Sequence, residues 1–130
     1  MEVVLKFKFE YLENEFLQVD PRLQAIALFT AFSMRILFGY QAVATCVKRS
    51  HASQASLKAE GKTNVETSPH EDWRAIDFRL KDFPDKAHVN VLVDLINNTF
   101  PRNDGFKVAI AHGEGDNFHL HLQVPKVRRF

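Results

Sequence analysis

Residues 5–11 alternate, with Leu5, Phe7, Phe9 and Tyr11 on one side and Lys6, Lys8 and Glu10 on the other. A period of two predicts a half-buried strand. Asp20 and Pro21 then open a helix, as N-cap and first helical residue. Leu23, Ile26, Ala27, Thr30, Met34 and Leu37 recur at helical spacing, and Gly39 is the expected stop. A strand is expected over 42–47, a short helix over 53–60 ending at Gly61, and a polar loop over 62–73. A strand over 75–80 follows, then a helix opened by Pro84 and running to about Phe100. Strands over 107–111 and 119–124 flank a turn marked by Gly113 and Gly115. Mixed helices and strands with short strand connections predict an α+β fold in one domain, 1–130.

Two strands carry the chemistry. In residues 75–80, Ile76, Phe78 and Leu80 share one face, and Asp77 and Arg79 the other. In residues 118–124, Phe118, Leu120, Leu122 and Val124 share one face, and His119, His121 and Gln123 the other. Paired in one sheet, these strands bring Asp77 and the histidines together. A solvated sheet face has the same pattern. His70, just before the Asp77 strand, and Asp116, three residues before His119, favour a metal site. Two imidazoles and a carboxylate suit zinc with one position open to water, and a further carboxylate nearby can act as general base.

Composition narrows the class. The 130 residues are 45% hydrophobic and 25% charged, which argues against disorder across the whole chain. A net charge of +1 gives no electrostatic case for a dedicated nucleic-acid or membrane-surface binder. The single cysteine, Cys46, forms no internal disulfide and no cysteine-based zinc site, and is expected as a small buried residue. The first ten residues lack the pattern of a signal peptide, and residues 25–38 are too short and polar to span a bilayer. The expectation is a protein made in the cytoplasm, with no membrane insertion.

The stretch Ser68-Pro69-His70-Glu71-Asp72-Trp73-Arg74-Ala75-Ile76-Asp77 resembles the S-x-H-x-x-G-x-A-x-D motif of the M15 zinc peptidases. These include D-alanyl-D-alanine carboxypeptidases, D-Ala-D-Ala dipeptidases and phage L-alanyl-D-glutamate endolysins. Asp116-Asn117-Phe118-His119 resembles their second motif, and residues 48–57 resemble the segment Y-R-S-x-x-x-Q-x-x-L. Trp73 stands at the usual Gly position, Lys48 at the usual aromatic, and His121 where many members have Glu.

The resemblance implies a small antiparallel sheet flanked by helices, as in the hedgehog/D,D-peptidase fold. It implies one zinc per chain, held by His70, Asp77 and His119, with His121 open as the last ligand instead. Asp116 would be the general base, with Glu114 in reserve, and His121 an oxyanion stabiliser. Arg49 would hold a substrate carboxylate, with Gln54 and Ser68 also on the substrate side. The substrate would be the peptide stem of peptidoglycan, cut either as a D,D-carboxypeptidase or as an L-Ala–D-Glu endopeptidase. The length suits the compact phage endolysins, which act on the cell wall after release by lysis or as virion components. The alternative is a protein of this fold that has lost activity and binds the cell wall.

His119-Leu120-His121 also matches the His-hydrophobic-His pattern of single-strand DNA nickases. Those need a Tyr after the motif, and Tyr11 and Tyr40 both precede it. A cupin would carry further ligands after the pair, and none suitable follows.

Overall fold

A computed structural model describes residues 3–60 and 68–126, with the backbone alone for residues 51–54. In chain order the elements are β1 (Leu5–Phe7), α1 (Glu10–Phe16), α2 (Pro21–Phe38), β2 (Ala42–Cys46) and α3 (His51–Ala59). A 3-10 turn at Pro69–Asp72 leads into β3 (Ala75–Arg79), followed by α4 (Lys86–Thr99) and β4 (Ala109–His112). A second 3-10 turn, Gly115–Asn117, leads into β5 (His119–Gln123). The fold is α+β, with a five-stranded sheet in the order β1-β2-β3-β5-β4.

The first strand is shorter than its alternation suggests. It stops at Phe7, and Glu10 begins a helix with Glu10 and Glu13 in its first turn. Acidic groups there complement the helix dipole. Leu12 and Phe16, four residues apart, are buried, and exposed Phe9 and Tyr11 stack with ring centres 5.7 Å apart. The spacing of Leu12 and Phe16 outweighs the alternation that continues through Tyr11.

The sheet is mixed, not wholly antiparallel. β1 runs parallel to β2, while β2–β3, β3–β5 and β4–β5 are antiparallel. Parallel neighbours need a crossover, here supplied by α1 and α2. Asp20 caps α2, its carboxylate accepting from the Arg22 amide at 2.9 Å. Gly39 closes the helix at φ +62°, a conformation glycine enters without a Cβ penalty. α4 begins two residues later than Pro84 suggests, because the Asp85 side chain accepts from the Ala87 amide at 2.9 Å.

The alternation in β3 and β5 has the expected result. Ile76, Phe78, Leu120 and Leu122 are fully buried in a core shared with Leu23, Ile26 and Met34 of α2 and Leu92 and Ile96 of α4. The two helices cover that face of the sheet, and its polar face is left to form a cavity. Among the described residues no helix is long and apolar enough to cross a membrane. Residues 61–67 of the expected loop and residues 127–130 of the basic tail lie outside the described residues.

Candidate metal centre

Strand register brings the polar side chains together. Asp77 pairs with His121, and Arg79 with His119, across the β3–β5 ladder. His112 and Ile110 pair with His119 and His121 from β4. Between Ala44 and Cys46 the β2–β3 register shifts, and Cys46 pairs with Asp77. Thr45 and Cys46 both line the cavity, which holds about 780 Å³.

His70 enters from the 3-10 turn. Ser68 caps that turn, its hydroxyl accepting from the His70 amide at 3.2 Å while the Glu71 carboxylate accepts from the Ser68 amide at 2.8 Å. This reciprocal pair fixes the backbone that carries His70. Trp73 ends the turn at φ +61° and ψ +28°, a left-handed conformation rare for a bulky residue. Glycine suits such a position, and the motif of the resembling peptidases has glycine there.

At the centre His70 is 1% exposed and Asp77 6%. His70 donates from Nδ1 to the Val47 carbonyl at 2.8 Å and turns Nε2 to Asp77 Oδ1 at 3.2 Å. His119 donates from Nδ1 to the Asn117 carbonyl at 2.8 Å and turns Nε2 to Asp77 Oδ2 at 3.9 Å. Each ring is thus held in the tautomer that leaves Nε2 for a metal, as in second shells of metalloproteins. His121 differs: Nδ1 meets Asp77 Oδ1 at 2.9 Å and Nε2 meets Gln123 Oε1 at 3.1 Å. The Gln123 amide nitrogen donates to the Lys107 carbonyl at 3.0 Å, so the oxygen is the atom facing His121. Both His121 nitrogens therefore face acceptor oxygens.

Burial pushes the His70 imidazole down, but the Asp77 charge and hydrogen bond outweigh it and raise the pKa to about 10. Burial pushes Asp77 up, and the charge of His70 and the hydrogen bond from His121 outweigh that, holding it well below the usual carboxylate range. Two imidazoles aimed at one buried carboxylate need a cation among them, either a proton or a metal.

Cys46, His70 and Asp77 form a group that could hold a metal ion. Cys46 is half-buried at the site, with Sγ 3.7 Å from His70 Nδ1 and 3.4 Å from Arg49 Nη2. The sequence offers no cue for this beyond its place at the end of β2. Its sulfur lies on the Nδ1 side of His70, where the ring hydrogen already goes to Val47. The same hydrogen bond separates this cluster from a Cys-His-Asp nucleophile arrangement, in which the ring nitrogen beside the thiol must be free to take its proton. His119, the third ligand expected from the sequence, is outside this group and faces the other oxygen of the carboxylate, with Nε2 3.9 Å from Asp77 Oδ2.

Asp116, Arg49 and Ser68 line the same cavity as His70, Asp77, His119 and His121. Asp116 is exposed in the second 3-10 turn, and exposed Glu114 is not among the lining residues. Gln54 belongs to α3, but its side chain lies outside the described residues. Gln123, which anchors His121, was visible on the polar face of the last strand without an evident task. No protein-family model matches the chain, and a search of curated proteins finds no match.

Proposed function

We propose that this chain is a zinc peptidase that hydrolyses an amide bond in the peptide stem of peptidoglycan. One observation carries the reading. His70 and His119 each give Nδ1 to a backbone carbonyl and turn Nε2 to opposite oxygens of one buried carboxylate. Ligands about 2.0–2.1 Å from a tetrahedral zinc stand roughly 3.3 Å apart; the two imidazoles stand 3.2 and 3.9 Å from the carboxylate, while the donors that already lie within 4.8 Å of one another are Cys46, His70 and Asp77, so the proposed set closes by His119 moving inward. The donor set of two imidazoles and one carboxylate, facing an open cavity, suits a catalytic zinc. The left-handed Trp73, at the glycine position of the resembling motif, supports the same reading.

Zinc, when bound, supplies a Lewis acid for the scissile carbonyl and brings an attacking water near neutrality in pKa. Asp116 accepts the water's proton and returns it to the leaving amine. Arg49 holds a substrate carboxylate with its planar guanidinium. His121 is a positioning residue: held by Gln123, it fixes the Asp77 carboxylate. Phe106, Ile110 and Phe118 give the cavity an apolar wall for the stem peptide.

The test is release of new amino groups from purified peptidoglycan by the zinc-loaded protein. Release that disappears with a chelator and in His70→Ala supports the reading. Equal release from His70→Ala would overturn it.

A further inference from the structure

The polar face of β3 continues past the metal centre. Arg79 lies two residues from Asp77 on the same face, about 7 Å along the strand, and Lys81 follows in the turn after β3. Both line the cavity, as does Lys8 just beyond β1. Arg79 sits across the ladder from His119. Its guanidinium acts on the Tyr40 hydroxyl, but its Nε is buried with no hydrogen-bond partner, and among the described residues no ion pair of Arg79 is found. The cavity's two carboxylates do not answer it: Asp77 is engaged by His70 and His121, and Asp116 belongs to the turn before β5. An unpaired buried donor is costly unless an acceptor arrives.

Resting on the peptidase reading, we propose that Arg79, with Lys81 and Lys8, forms an anion subsite for a second substrate carboxylate. It takes that carboxylate about two residues from the bond over Asp77, since two residues of extended peptide span about 7 Å. The guanidinium fork matches a carboxylate, and the two ammonium groups add charge at the mouth. The preferred substrate is therefore a stem whose D-Glu or diaminopimelate carboxylate is free, and amidation of that group weakens binding. This subsite is separate from Arg49, which follows β2.

The experiment is calorimetry on the full chain, zinc-loaded and carrying Asp116→Asn to keep the probe intact. The probes are an N-acetylated L-Ala-γ-D-Glu-diaminopimelate-D-Ala stem with free internal carboxylates and the same peptide with those groups amidated. Both carry a C-terminal amide, so no terminal carboxylate reaches Arg49. The free form is expected to bind about tenfold tighter, as one charge-assisted pair predicts. Arg79→Gln should abolish the preference, and exposed Lys81→Gln should reduce it, which covers the case in which the Arg79 variant misfolds. Equal binding of the two probes, no binding of either, or a preference kept in both variants overturns the subsite. The peptidase reading is judged separately. A preference lost in Arg79→Gln, beside no release of amino groups from peptidoglycan by the unsubstituted chain, sinks the peptidase and keeps the subsite; release from peptidoglycan with equal binding of both probes does the reverse.

Discussion

The Lys48 ammonium lies 5.1 Å from the centre of the Trp73 indole. These are two positions at which the chain departs from the pattern of the zinc peptidases it resembles, and here they answer one another. Lys48 also donates to the Glu71 carbonyl, tying the end of β2 to the turn that carries His70. A cation over an indole contributes about 0.5–1 kcal/mol. A left-handed residue other than glycine costs about 1–2 kcal/mol. The Lys48 contact and the packing of Trp73 against the core offset the strained backbone.

That offset can be separated by substitution. Trp73→Ala and Trp73→Gly both lose the indole, so their difference isolates the backbone. The glycine variant is expected to be more stable than the alanine variant by about 1 kcal/mol. Urea unfolding of the two measures it. Equal midpoints would mean that position 73 does not hold a left-handed backbone in solution.

The proposed ligand set of His70, Asp77 and His119 predicts a graded series in zinc affinity. Loss of a second-shell partner costs about 10–100-fold, so His121→Ala should fall in that range. His70→Ala and His119→Ala remove ligands and should cost more. Cys46→Ala should change little. X-ray absorption at the zinc edge should then show nitrogen and oxygen scatterers, with no sulfur shell near about 2.3 Å. A sulfur shell, lost in Cys46→Ala, would assign the ion to the Cys46 side of His70.

The His70–Asp77 pair sets a pH dependence for the metal-free protein. His70 holds its proton more tightly folded than unfolded, with its pKa raised from 6.5 to about 10. Its stabilisation is therefore full below pH 6.5 and is lost as the pH rises towards 10. Asp77 is depressed from 3.8, so its share is present above that value and is lost as the pH falls through its lowered pKa. The two shifts describe one interaction and count once. The Tm of the metal-free chain should fall between pH 7 and 10. Zinc requires the ring unprotonated, so binding near neutrality should release protons and tighten with pH. Thermal scans and calorimetry in buffers of different ionisation enthalpy read both effects; a flat Tm over that range contradicts the pairing.

Asp116 lines the cavity and is not one of the imidazole or carboxylate groups at its centre. Asp116→Asn should lower turnover about 10²–10⁴-fold with zinc affinity unchanged. Glu114, outside the cavity lining, should tolerate Gln with full turnover. The opposite pattern would transfer the role of base to Glu114.

Much of this arrangement was legible from two alternating strands. A period of two puts Asp77 on one face of β3 and His119 and His121 on one face of β5, and antiparallel pairing brings them together. The stretch 68–77 also encodes the turn: Ser68 caps it, and Trp73 ends it in the left-handed conformation. Other features depend on tertiary context. The parallel β1 follows from a crossover that local alternation does not record, and α1 was hidden because Phe9 and Tyr11 extend the strand pattern. Cys46 reaches the site through a register shift in β2, which leaves no mark in composition. The commitment of both His121 nitrogens needs Gln123 and Lys107 in place, and sequence spacing alone does not supply that.

The most direct test of the central claim is mass spectrometry of defined muropeptides after incubation with protein shown to hold one zinc, beside a chelated control. The account predicts one new amide cleavage that the chelator abolishes. Loss of a terminal D-Ala marks a D,D-carboxypeptidase, and separation of L-Ala from D-Glu marks an endopeptidase. Intact muropeptides from the zinc-loaded protein would contradict the account and leave a binding module built on the same metal centre.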